Sequence, residues 1–287
     1  MIGQTFNYLT VLSKSTRDYY YTCECVCGTI KSVRKDFLTT GSTKSCGCKR
    51  IELQRASKLF PIKEDFFLND TPELAYFLGL FLSDGYISKN KQIGIQLQER
   101  DKSILEYFNK LICPLNKLQW INKNKGENTH LRKRQNQCRL VFSNDLVFDL
   151  LTKWGFDNHK TITGKVPEQY LNNPHFWRGC IDGDGSMCIT GGRFLIDLVG
   201  NSQVCTQFKN FCHSLNLGLN RDILKPKTKK YKIDFASFRL HGKEAVKMCE
   251  YLYENKSDIY LERKYNKYQE YLQMKKNKRD YLYLNSI

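Results

Sequence analysis

Two stretches of the chain share one grammar of polar and apolar positions. In "NDTPELAYFLGLFLSDGYI", Asp70 or Thr71 can cap a helix, Pro72 suits its first turn, and an apolar run ends at Asp84-Gly85. In "NNPHFWRGCIDGDGSM", Asn173 is the cap, Pro174 follows it, and the run ends at Asp184-Gly185. A glycine stands five residues before each final aspartate, at Gly79 and Gly179. The segments after the two aspartates repeat as well. A hairpin signal comes at Asn90-Lys91 and again at Gly191-Gly192, and Ile93, Ile95 and Leu97 alternate as a half-buried strand does. Helical spacing then runs through "SILEYFNKLI" and "SQVCTQFKNFCHSL", with Phe108 and Phe208 at one offset. Basic, strand-like segments come next, "HLRKRQNQCRLVF" and "KPKTKKYKIDFASFRL". Each half closes on an amphipathic helix, "NDLVFDLLTKWGF" or "GKEAVKMCEYLY". The pattern predicts an α+β fold of two pseudo-symmetric αββαββα repeats, over residues 70–168 and 169–275.

Helical periodicity also predicts a seam. Ala75, Gly79 and Ser83 lie four apart on one face, as do Gly179 and Gly183, so two such helices can approach closely. If they pack side by side in the same direction, Asp84 and Asp184 meet at the carboxyl ends. Two carboxylates beside unpaired carbonyls repel without a counter-charge, and a divalent cation removes that repulsion. Hard oxygen ligands suit Mg²⁺, which could activate water and stabilise the departing oxygen of a phosphodiester. Asp182, two residues earlier, projects differently and is expected to cap or support. A last apolar stripe, Leu261, Tyr265, Tyr268 and Leu272, predicts a carboxyl-terminal packing helix followed by a basic, solvated tail over 276–287.

Charge indicates the partner. The 287 residues hold 46 Lys and Arg against 29 Asp and Glu, a formal charge of +17, which favours a polyanion over a merely solvated basic surface. The cations gather on the strand-like segments: Lys123, Lys125, Arg132, Arg134 and Arg139 in one half, Lys225, Lys227, Lys230, Lys232 and Arg239 in the other. Strand alternation would turn a row of them toward DNA. The first residues show no basic region followed by an apolar stretch, and no run is long enough to span a bilayer, so a cytoplasmic protein with no membrane partner is expected.

Cysteine usage sets the amino-terminal part apart. Of twelve cysteines, five lie within "YTCECVCGTIKSVRKDFLTTGSTKSCGC". Cys25 with Cys27, and Cys46 with Cys48, form two C-x-C pairs beside Gly28 and Gly47, a set suited to tetrahedral Zn²⁺. Cys23 shares the strand face of Cys25 and Cys27 and could replace one of them or sit beside the site as a buried thiol; Gly28 and the matching C-x-C pair favour the other four. A module over residues 1–50 is too small for a self-supporting core, so metal would supply much of its folding energy. Ten Lys and Arg against four Asp and Glu over residues 1–58 add a phosphate-contacting character. A basic connector over 51–69 leads to the repeats.

On "FLGLFLSDG" (77–85) and "WRGCIDGDG" (177–185) the chain resembles the LAGLIDADG homing endonuclease family in its single-chain, two-repeat form. Both copies depart from the nine-residue signature but keep its third-position glycine and terminal Asp-Gly. "IGQTFNYLTVLSK" with the two C-x-C pairs is similar to a zinc module ahead of phage and bacterial homing endonucleases, over residues 2–48. The resemblance implies a DNA-binding saddle of antiparallel sheets and a monomer acting on a long, asymmetric double-stranded site. It implies that Asp84 and Asp184, with the carbonyls of Ser83 and Gly183, hold catalytic Mg²⁺. It also implies a lysine near each metal centre; Lys230 or Lys232 are candidates in the second half. An RNA intron maturase and a non-catalytic DNA-binding regulator are the other activities this fold supports.

Overall fold

The computed structural model describes residues 1–49, 61–122, 135–157, 160–225, 234–254 and 257–284. The chain forms two compact units, Met1–Pro61 and Ile62–Ile287. The first is a four-stranded antiparallel sheet in the order β1 (Thr5–Phe6), β2 (Leu9–Lys14), β3 (Tyr20–Cys25), β4 (Ile30–Arg34), followed by the short α1 (Lys35–Thr39). Its core is small: Leu9, Val11, Cys23, Cys25, Val33 and Leu38, with Cys46 and Cys48 packed against it.

The second unit begins with a helical turn, Asp65–Leu68, whose Phe67 is fully buried. Residues read as the end of a basic connector thus contribute to the core. Phe67 meets Phe77 edge-on at 5.5 Å, a contact that hydropathy alone does not reveal. The first repeat continues with α2 (Pro72–Asp84), β5 (Gly85–Ile87), β6 (Gln92–Gln98), α3 (Lys102–Ile112), β7 (Gln119–Ile121), β8 (Gln137–Ser143) and α4 (Asp145–Lys153). Its sheet order is β5-β6-β8-β7, antiparallel throughout. The second repeat gives α5 (Pro174–Gly183), β9 (Gly185–Thr190), β10 (Arg193–Asn201), α6 (Ser202–Ser214), β11 (Phe235–His241) and α7 (Lys243–Tyr253). Its strands pair as β9-β10-β11, and Leu224 bridges Ser237 on the far side of β11, the place β7 takes in the first repeat.

One apolar core runs through both repeats. Phe77 packs on Phe108 at 5.0 Å, and Trp177 on Phe208 at 5.1 Å, so the same two positions anchor helix to helix in each half. Apolar side chains alternate on the strands where a face is covered. Ile93, Ile95 and Leu97 point inward from β6, and Phe194, Ile196 and Leu198 from β10. The opposite sheet faces are turned away from the helices.

The carboxyl-terminal helix α8 (Glu262–Leu284) differs from its expected form. Its buried side chains near the start are Lys264, Tyr268 and Tyr271, following Leu261, while Tyr265 and Leu272 are only partly covered. A lysine on the buried stripe displaced the apparent apolar axis. The basic "KKNKR", expected in a solvated tail, lies within the helix, as good helix formers allow.

Candidate functional site at the motif seam

Local sequence starts both motif helices as expected. Thr71, rather than Asp70, caps α2 by accepting the Leu74 N–H at 3.1 Å. Asn173 caps α5 by accepting the N–H groups of His175 and Phe176. The two helices then pack backbone against backbone. A Cβ on Gly79 would lie 1.9 Å from the Phe176 carbonyl oxygen, and one on Gly179 would lie 2.3 Å from that of Tyr76. No side chain fits at either place. Farther along, the Ser83 hydroxyl donates across the seam to the Cys180 carbonyl at 3.4 Å, and a Cβ on Gly183 would press on Ser83.

The seam ends at the two acids. Asp84 is the last residue of α2 and half-buried; Asp184 caps α5 and is exposed. A Cβ on Gly183 would fall 2.9 Å from Asp84 Oδ2, so this carboxylate leans on the other helix's last turn. The acids line separate cavities. Asp84 and Gly183 border one of about 170 Å³ with Gln96, Gln98, Gln137 and Arg263. Asp184 and Ser83 border another of about 230 Å³ with Gly200 and Asn201. Each cavity therefore pairs one helix's acid with the residue that precedes the acid of the other helix. Carboxylate and carbonyl oxygens at such a place are a hard donor set that fits Mg²⁺.

Asp182 has a different task. It is 3 % exposed and accepts the Tyr76 hydroxyl and the Leu261 N–H, each at 2.8 Å, with the Tyr253 hydroxyl at 3.4 Å. Burial pushes its carboxyl above the usual carboxylate range, against the pull of Lys264. It ties α5 to α2 and to the start of α8, and it borders the Asp84 cavity with its oxygens already engaged by these donors.

Lys264 is the residue that sequence reasoning missed. Its ammonium is 4 % exposed and donates to the carbonyls of Ile181 (2.5 Å), Asp182 (2.7 Å) and Gly185 (2.6 Å), with Gly183 farther at 3.3 Å. It sits on the negative end of α5 and takes up carbonyls that the last helical turn leaves without partners. Burial holds it down to about 8, while Asp182 and Asp84 oppose that shift. Its sequence signal is a lysine at the third position after Leu261 on an otherwise apolar stripe. Lys230 and Lys232, considered for such a place, lie outside the described residues. So do Lys123, Lys125, Arg132, Arg134 and Lys227. Of the expected DNA-facing cations, Arg139, Lys225 and Arg239 are described; Lys225 is exposed and pairs with Asp234 at 3.0 Å.

In the first unit the four cysteines of the two C-x-C pairs converge, with all four sulfur atoms within 4.8 Å of one another. Cys25 lies 3.6 Å from Cys48, and Cys27 lies 3.4 Å from Cys46. Four sulfurs at about 2.3 Å from one Zn²⁺ would stand roughly 3.8 Å apart, so the cluster fits that ion. The tight turns need left-handed backbone at Gly28 (φ 82°) and Gly47 (φ 119°). Hydrogen bonding to the side chain and then the backbone of Thr29 lowers the exposed Cys27 thiol to about 6. Cys23 stays outside the cluster, fully buried, with its thiol facing the Tyr21 carbonyl.

Comparison with known proteins gives the seam a context. Residues 71–155 match the model of the LAGLIDADG-like domain. Among solved structures the chain is similar to the N-terminal LAGLIDADG domain of DUF199/WhiA, at 13% identity over 66% of this chain and 85% of that one, TM-score 0.40. It is also similar to the homing endonuclease I-WcaI bound to its DNA recognition sequence, at 13% identity over the same shares, TM-score 0.41. No curated protein sequence matches. Among the described residues no helix is long and apolar enough to cross a membrane.

Proposed function

We propose that this chain, a LAGLIDADG-domain protein by the match over residues 71–155, is a site-specific endonuclease that cuts both strands of a long, asymmetric DNA site as a monomer. The observation that carries the reading is the glycine seam ending in two acids, Asp84 against Gly183 at the end of α5 and Asp184 in a cavity it shares with Ser83 of α2. A seam needed only for packing has no use for a carboxylate at both carboxyl ends, where the helix dipole disfavours it.

In this reading Asp84 and Asp184, with the Ser83 and Gly183 carbonyls, would hold Mg²⁺. Bound there, Mg²⁺ supplies a low-pKa water and charge stabilisation at a scissile phosphate. The chain's own residues set the stage. The Gly79–Gly179 contact fixes the spacing of the acids. Lys264 neutralises the carbonyl end of α5 and lessens the repulsion that Asp84 would meet there. The sheet faces turned away from the helices carry the DNA contacts. The Cys25, Cys27, Cys46 and Cys48 cluster would hold a structural Zn²⁺ in an accessory basic module, and a cytoplasmic location follows from acting on DNA.

The test incubates the full chain with randomised duplex DNA and Mg²⁺, alongside Asp84→Asn and Asp184→Asn. Double-strand cutting by the parent chain is expected, with loss in either variant and retained DNA binding. Robust cutting by the double variant would refute the assigned site. Selective binding without cutting by the parent chain would favour the non-catalytic regulator, and preference for structured RNA the maturase.

A further inference from the structure

The outer faces of the two sheets carry arginines held by neighbouring side chains, Arg239 from below by a buried acid and Arg139 from the side by an exposed glutamine, at positions that do not correspond. In the second repeat Arg239 Nε and Nη2 both donate to Asp197 Oδ2, at 3.2 and 2.6 Å. The acid side chain is 9% exposed and the arginine 44%, so the carboxylate lies beneath and the guanidinium on top. The other Asp197 oxygen is buried with no partner among the described residues, so Arg239 is what neutralises this acid. In the first repeat Arg139 Nε donates to Gln119 Oε1 at 2.8 Å.

Arg139 and Arg239 are a hundred residues apart, as are the two motif acids, yet strand register separates them. Gly85 follows the first acid and pairs with Ile95; Gly185 follows the second and pairs with Leu198. Ile95 therefore corresponds to Leu198, and Gln96, the partner of Arg139, to Val199, the partner of Ser237. The equivalent of Arg139 is Ser237, and that of Gln119 is Leu224, which bridges Ser237. Asp197, the partner of Arg239, corresponds to Gly94. Strand β9 has six residues against three in β5, and a 3-10 turn, Glu99–Asp101, precedes α3 only in the first repeat. The equal numbering hides a shift of two residues along the strand, with Arg239 farther from the motif acid.

We propose that Arg139 and Arg239 each read a guanine, and that the two guanines lie at unequal distances from the centre of the target. A guanidinium fork held by a neighbour presents its remaining N–H groups as a fixed pair, which matches guanine O6 and N7 in the major groove. Two strand residues span about 6.8 Å. For strands laid along the groove, the guanine of the second half-site lies one or two base-pair steps farther out. This inference rests on the DNA-binding part of the proposed function, not on cleavage.

Selection by binding from a randomised duplex library, with cleavage by Mg²⁺ assayed separately, tests it. Enriched sites should hold one guanine in each half, the outer one on the side of the second repeat. Arg239→Lys, which keeps the charge and loses the fork, should relax preference at the outer guanine alone by about 5- to 100-fold. Arg139→Lys should do the same at the inner one, and Asp197→Asn should weaken the outer preference in part. Uniform loss of affinity across all sequences in both variants would make these arginines phosphate contacts and overturn the proposal. Symmetric guanines would overturn it as well. A chain that selects the predicted sites without cutting them would leave the guanine assignment standing and overturn the nuclease reading.

Discussion

The two motif helices share a glycine contact and part company beside it. Where their backbones meet, both need glycine, and both have it. One turn away, α2 places Leu78 and Leu82 in the core, while α5 places Arg178 and Asp182 at the corresponding positions, all four buried. The polar pair survives because only the second repeat is followed by α8 and the segment before it. Leu261 and Lys264 answer Asp182 and the end of α5, and the Leu252 carbonyl accepts from Arg178 at 2.9 Å. Arg178 also lies over the Tyr76 ring at 5.3 Å. Symmetry is thus enforced by sterics at the seam and released where one repeat has a partner the other lacks.

Copying the first helix into the second is the strongest way to break this comparison. Asp182→Leu recreates Leu82 but leaves Lys264 and Arg178 buried without their counter-charge, and should cost about 3–5 kcal/mol of stability. The midpoint of urea unfolding of the full chain reads this directly. Adding Lys264→Met should recover only a small part, because it removes the unpaired ammonium but leaves the carbonyls of Ile181, Asp182 and Gly185 without their donor. A cost below about 1 kcal/mol for the single change, outside the range of a broken buried pair, would mean the polar cluster is not what fixes α5.

A second perturbation tests the shared part. Gly79→Ala and Gly179→Ala each drive a methyl into a backbone carbonyl of the opposite helix. Each should cost about 3 kcal/mol, at the upper end of overpacking, because a backbone cannot rotate aside as a side chain can. Similar losses in the two variants are expected. A large cost at one position with little at the other would show that the seam is not shared equally by the two helices.

Legibility in the sequence divides along the same line. Features that repeat because of geometry were legible: the N-caps, the glycines four apart and the inward alternation of β6. Cys25, Cys27, Cys46 and Cys48 were legible too, since glycines beside paired cysteines mark the turns that bring sulfurs together. Lys264 was not, because a buried lysine reads as polar until the carbonyls it serves are known. Nor was the two-residue offset of Arg139 and Arg239. A longer hairpin and a connection shortened by more leave a net shift that the equal numbering of the two arginines hides, and only strand pairing exposes it. Phe67 was hidden for a related reason, lying in a segment of mixed charge without clear periodicity while its burial is set by Phe77.

The smallest effect concerns the helix starts, where the repeats are equivalent in role but not in chemistry. Thr71 accepts one N–H of α2, whereas Asn173 accepts two of α5. Removing a cap by Ala costs about 1 kcal/mol, and replacing it by Gly only a few tenths, because water then reaches the exposed N–H groups. Thr71→Ala and Asn173→Ala should each lower stability by about that amount in the same urea titration, Asn173→Ala by slightly more, with both glycine variants close to the parent chain. Pro72 and Pro174 hold the first turn in helical geometry in every variant, which keeps these losses small. An alanine loss as large as that of Asp182→Leu would mean that the caps also position the acids at the far end, and that α2 and α5 move as rigid rods pivoting on the glycine contact.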